Sequence, residues 1–163
     1  MSAPRLHELE ISDQLVQLIN QNLSGQLGLK VVTVDSLDLF PALENIEDNV
    51  PAVFVKPYPT TTLERITTGQ TYRITYNFRI VYVTNYGPNE EIERTKILNT
   101  VKIGELLIDN VNLGYLSLQN GQVLKATMTS IEWGPSENQY FRDNHKAMVA
   151  TAFTVIVETT SRL

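Results

Sequence analysis

The side chains able to do chemistry in this 163-residue chain are few and scattered. His7 and His145 are the two imidazoles, and they stand near opposite ends of the sequence. Asp143 precedes His145 by two residues, as a base and its orienting carboxylate would, but the run 137–144 is polar and reads as a hydrated connection. A solvated histidine is the simpler account. All eight glycines are isolated, so no phosphate-cradling loop or dinucleotide fingerprint is present, and no serine sits in a nucleophile elbow. With no cysteine, disulfides and thiolate metal sites are excluded. Asp35, Asp38, Glu44, Glu47 and Asp48 offer hard oxygen donors. They lack the glycine and terminal glutamate of a calcium loop and read as solvated surface. The expectation is a protein with no catalytic residue, no metal and no cofactor.

What remains is surface. Arg73 and Arg79 alternate with Thr75 and Asn77 on one side of a strand pattern, either solvated or meeting a second subunit. Two arginines on a chain of net charge −5 make a poor footprint for nucleic acid. Thr60, Thr61, Thr62, Arg65 and Thr67 lie in a threonine-rich connection over 58–70, longer than a hairpin loop needs and therefore a candidate contact segment. Tyr140 and Phe141 are aromatics in a polar run, fit either to anchor a partner or to pack over the sheet edge.

The elements that must position these groups follow from periodicity. Tyr72, Ile74, Tyr76, Phe78, Ile80 and Tyr82 occupy one face of a strand over 71–84, the longest such pattern in the chain. Leu15, Ile19 and Leu23 predict an amphipathic helix from a Ser12 N-cap to about Ser24, ended by Gly25 and Gly28 and preceded by an arm over 1–11. Short strands are expected at 30–34 and 52–55, the second closed by Lys56 and Pro57. Asn89 caps a second helix to about Ile108, with Ile97, Val101, Gly104 and Ile108 as the stripe facing the sheet, widened by Leu98, Ile103 and Leu107, and Gly104 allowing close approach. Strands follow over 122–133 and 147–158, and the latter is apolar on both faces, as a strand inside a sheet should be.

This order predicts one α+β domain over 1–163: a mostly antiparallel twisted sheet, two helices packed on one face, and a long protruding loop or β-arm at 58–70. The N-terminus offers no apolar run suited to a signal peptide, and no stretch reaches the length of a membrane span, so an intracellular protein without a membrane partner is expected.

The arrangement resembles the tail terminator (tail completion) proteins of tailed bacteriophages over residues 12–158. The likeness lies in an amphipathic first helix, the short strand Ala52 to Val55, a long connection and the extended strand Tyr72 to Thr84. It continues through a helix containing Gly104-Glu105-Leu106-Leu107, a strand ending near Ile131-Glu132-Trp133, and the closing strand from Met148. The resemblance implies a non-enzymatic virion protein of the tail or neck, assembled in the host cytoplasm. It implies a hexameric ring that caps the tail tube, stops its polymerisation and joins the head. The implied partners are further copies of the chain, the tail tube protein, a head-tail connector or stopper protein and the sheath protein of a contractile tail. DNA would pass through the lumen without sequence-specific binding. Other neck or baseplate adaptors, and a small-ligand-binding α+β domain, are the alternatives.

Overall fold

Apolar residues at Ile11, Leu15, Ile19, Leu23 and Leu27 recur every four positions and drive one buried stripe along α1 (Glu8–Leu27). The computed structural model describes residues 6–34, 50–66, 71–85, 90–114, 116–118, 121–133 and 148–162. Asn89, Thr67, Tyr140, Phe141, His145 and the acidic cluster at 35–48 lie outside the described residues. The helix begins earlier than a Ser12 cap predicts. His7 is the flanking residue, and the Ser12 hydroxyl, fully buried, donates to Glu8 O at 2.8 Å inside the helix. Residues 8–11 are thus helix rather than arm. Gly28, at φ 63°, ends it in the left-handed conformation with its N–H on Ser24 O.

Six strands form a single sheet in the order β1-β2-β3-β6-β5-β4. They are β1 (Val31–Val34), β2 (Ala52–Arg65), β3 (Thr71–Asn85), β4 (Ser117–Leu118), β5 (Gly121–Glu132) and β6 (Met148–Arg162). Among the described residues only β1 runs parallel to its neighbour, pairing with β2 at Ala52–Val55, and the other pairs are antiparallel. β6 lies inside the sheet between β3 and β5, as its two apolar faces require.

Of the two forms open to the segment over 58–70, loop or β-arm, residues 58–65 take the strand of an arm. β2 does not close at Pro57: the register shifts between Pro57 and Thr61, and pairing then resumes from Thr61↔Tyr76 to Arg65↔Tyr72. A proline lacks the N–H that a ladder needs, so an irregularity at this point lets the strand continue past it. Thr60, Thr61 and Thr62 extend β2, and β3 is flanked on its other side by β6 throughout.

Both helices cover one face. Ile74, Tyr76, Phe78, Ile80 and Tyr82 of β3 pack there with Val53 and Val55 of β2, Phe153, Val155 and Val157 of β6, the α1 stripe, and Ile103 and Leu107 of α2 (Glu90–Asp109). On the opposite face a smaller cluster gathers Val50, Ala52, Phe54, Val81, Val83, Ala150 and Ala152.

α2 is rotated relative to the expected stripe. Its buried positions are Thr100, Ile103, Gly104 and Leu107, while Ile97, Leu98, Val101 and Ile108 are 45% to 55% exposed. Thr100 is tolerated inside because its hydroxyl donates to Lys96 O at 2.8 Å. Gly104 does face the sheet, yet close approach does not require it. A Cβ there would sit 3.6 Å from Ile131 Cδ1 and 3.7 Å from Phe153 Cε1, ordinary van der Waals distances. Gly104→Ala should therefore stabilise the protein by about 1 kcal/mol and raise Tm by about 2–4 °C in a calorimetric scan.

Candidate functional site

The polar face of β3 brings Arg73, Thr75, Asn77 and Arg79 into one line, as alternation demands. Their environments differ. Arg73 is exposed and stands opposite Glu64 on β2 and Thr160 on β6. Arg79 is only 8% exposed; it reaches across β6 to Glu132 on β5, with Nη1 at 3.4 Å from Oε1 and Nη2 at 3.1 Å from Oε2. The register places Arg79 opposite Thr154 and Glu132 opposite Ala152, so the pair bridges three strands over small side chains. A two-toothed arginine–carboxylate contact fixes geometry as well as charge. Arg79 thus ties the sheet together, and Arg73 is the arginine of the two presented outward.

Of the threonine-rich segment, Thr61 is half-buried opposite Tyr76 and Thr62 is exposed; Thr60 lies in β2. Arg65 is exposed, its guanidinium 6.0 Å from the Tyr72 ring centroid. Leu63, between them, is half exposed, as is Ile66, whose N–H donates to Thr71 O at 3.1 Å. The outer side of β2 from Lys56 to Arg65 has no strand partner among the described residues, β1 pairing only as far as Val55.

Two exposed apolar surfaces result. One is Leu63 and Ile66 at the end of β2; Leu6 and Leu9 at the start of α1 are exposed too, and there the His7 backbone N–H donates at 2.9 Å to the Tyr76 hydroxyl, which the ladder sets opposite Thr61. The second is the outward face of α2: Ile97, Leu98, Val101 and Ile108. Sequence periodicity found these α2 residues as a stripe but assigned them to the core. The signal that separates the faces is Thr100 and Asn99, polar residues with partners inside the fold.

A cleft of about 350 Å³ opens between the end of α1, β3 and the start of α2, lined by Leu27, Pro51, Tyr82, Thr84, Asn85, Glu91, Thr95, Lys96 and Asn99. The Tyr82 hydroxyl accepts from Asn99 Nδ2 at 3.1 Å, and burial pushes its pKa above the ordinary 10.0, against the lowering effect of its bonds to Asn99 and Thr84. It stays a neutral phenol at physiological pH. Among the described residues no three His, Cys, Asp or Glu side chains gather to hold a metal ion, and no helix is long and apolar enough to cross a membrane.

Tyr76 is raised in the same sense, by burial first and by Glu8 and Glu10 in addition. In the unfolded chain both phenols ionise near pH 10, while in the folded protein they hold their protons higher. Their contribution is full below pH 10 and is lost as pH rises through the raised values. Denaturant midpoints measured from about pH 8 to pH 11.5 should fall along the alkaline limb, less steeply in Tyr82→Phe. Separately, Glu132→Ala removes the carboxylate paired with the buried Arg79 guanidinium, and urea unfolding should show a loss of about 1–2 kcal/mol, reduced in Glu132→Gln.

No protein-family model matches the chain, and no curated protein matches it. Among solved structures it is similar to a chain of the virion of a native gene transfer agent (GTA) particle, at 12% identity and a TM-score of 0.49, covering 91% of this chain and 92% of that one.

Proposed function

We propose that this chain is a structural protein of a phage or phage-like virion that assembles into a ring at the end of a tail tube, ends the tube's growth and presents the surface joining it to the head. The observation that carries this reading is the pair of exposed apolar surfaces, the Leu63–Ile66 hairpin end and the α2 face, on a fold whose interior is already filled. Exposed apolar patches of this kind mark protein contacts. A ring needs two different patches on each subunit, because closure around a rotation axis sets one patch of each copy against another patch of the next.

The order of elements supports the same reading: helix, short strand, two long strands, second helix and closing strands keep the order of the resemblance to tail terminators, with its short strand at 52–55 continued as the long β2. Copies of the chain, the tube protein and a head-tail connector are the proposed partners. Thr60, Thr61, Thr62, Arg65, Thr67 and Arg73 are proposed contact residues of the hairpin; Tyr140 and Phe141 are proposed for a second contact outside the described residues. The polar sheet face, with Thr75, Asn77, Lys125 and Glu158, is a surface suited to a channel through which DNA passes without base recognition.

A second reading, a small-ligand-binding domain, is favoured by the cleft beside Tyr82. Sedimentation of the purified chain across a concentration series, followed by imaging after mixing with tail-tube protein, separates the two. A species of about six 18.4 kDa chains, or rings seen only at tube ends, is expected of a terminator. A monomer that ignores tube ends and is stabilised by a small molecule belongs to the ligand-binding reading.

A further inference from the structure

His7 is the one imidazole among the described residues, and it is shut inside the protein, its side chain 0% exposed. It flanks the first turn of α1 where the helix meets three strands. Its backbone N–H donates to the Tyr76 hydroxyl of β3 at 2.9 Å, its carbonyl accepts from Ile11 N at 3.0 Å, and its ring lies against Gly121 of β5. A side chain at 121 has no room there: a Cβ would stand 3.1 Å from His7 Nε2 and 2.5 Å from Thr160 O on β6.

The two ring nitrogens are placed differently. Nδ1 lies 3.5 Å from Glu10 Oε1, which assigns the proton of the neutral ring to that nitrogen, while Nε2 is buried with no hydrogen-bond partner. An unpartnered lone pair costs one hydrogen bond. An unpartnered N–H on a charged ring, out of reach of water, costs far more. The positive end of the α1 dipole opposes a cation at the same point. In favour of the charge stand the carboxylates of Glu8 and Glu10, the second 38% exposed and so screened by solvent. β3 adds the Tyr76 phenol, which burial holds neutral past its ordinary 10.0. β5 and β6 meet the ring with Gly121, Thr160 and Ser161, which carry no charge.

We propose that His7 is an acid-sensitive latch: the ring seats only as the neutral imidazole, and its protonation releases the first turn of α1 from β3, β5 and β6. The latch belongs to the single chain and does not depend on the proposed ring. Opening takes up a proton, which fixes the sign. The closed turn is fully stable above the ordinary imidazole value of about 6.5 and loses stability as pH falls below it, by up to about tenfold in the opening equilibrium per pH unit.

The Ile11 amide, bonded to His7 O, reports the turn, and the Ala126 amide, bonded to Val111 O at 2.7 Å, reports the body of the sheet. Amide-exchange protection factors of the full chain are measured by NMR from about pH 7.5 to pH 5.5, above the range in which ordinary carboxylates titrate. Between about pH 6.5 and 5.5 protection at Ile11 should fall by about threefold to tenfold, while Ala126 holds. His7→Gln, neutral at every pH, should flatten the Ile11 profile, whereas His145→Gln, at the only other histidine, should leave it as in the wild type. Glu10→Gln removes the carboxylate facing Nδ1 and should deepen the fall. A wild-type profile that is flat, or one that His7→Gln leaves unchanged, overturns the latch. A shallower fall in Glu10→Gln overturns it too, by assigning the pH dependence to the carboxylate. The ring's Cε1–H resonance tests the same point without a substitution: a His7 ring that titrates while Ile11 protection holds is charged in place, and the latch is overturned.

Discussion

Fifteen residues of β3 pair without interruption with fifteen of β6, from Thr71↔Arg162 to Asn85↔Met148. At about 3.4 Å per residue this is a ladder of about 50 Å, and every other element is hung on it. β2 and β5 attach to its two outer sides, α1 and α2 to one face. The irregularities fall in the attached strands instead, one in β2 and two in β5. Local bends can therefore adapt the flanks while the central ladder stays regular.

That arrangement decides what each face is for. Toward the helices, the alternate residues of β3 are aromatic or aliphatic and buried, and the polar atoms among them are satisfied locally: Tyr76 by the His7 N–H, Tyr82 by Asn99, and Thr159 by donation to Ile74 O at 3.1 Å. Away from the helices the sheet changes character along its length, from the small apolar cluster around Phe54 and Val81, through the Arg79–Glu132 pair, to the open Arg73 and Thr160 end.

Alternation and four-residue spacing made the core legible. Ile74 to Tyr82, the α1 stripe and the doubly apolar β6 could all be read from spacing alone, and with them the α+β class and the placement of both helices on one face. What spacing misread has physical causes. Pro57 looked like a strand end, but a register irregularity accommodates it and the ladder resumes at Thr61. Ser12 looked like a cap because its hydroxyl is a good acceptor of helix N–H groups; buried in the first turns it donates backward instead. On α2 the more hydrophobic side is the one left outside, since Thr100, Ile103, Gly104 and Leu107 match the sheet surface in size and satisfy their own polar atoms. The two exposed apolar surfaces were the least legible part. An interface residue obeys the same hydrophobic pattern as a core residue, and only the three-dimensional placement distinguishes them.

The position of β6 also governs how the molecule is made. During synthesis β3 emerges from the ribosome before α2, β4, β5 and β6 exist, so its full-length partner arrives last among the described elements. Until then the strand presents Ile74, Tyr76, Phe78, Ile80 and Tyr82 along an open side, the composition most prone to pair with the wrong neighbour. The hairpin with β2 and the cover of α1, both encoded earlier, shield part of it in the interval. The nascent chain therefore passes through a vulnerable half-sheet, closed only by a contact between distant parts of the sequence, and its yield in a cell depends on how quickly that gap is filled.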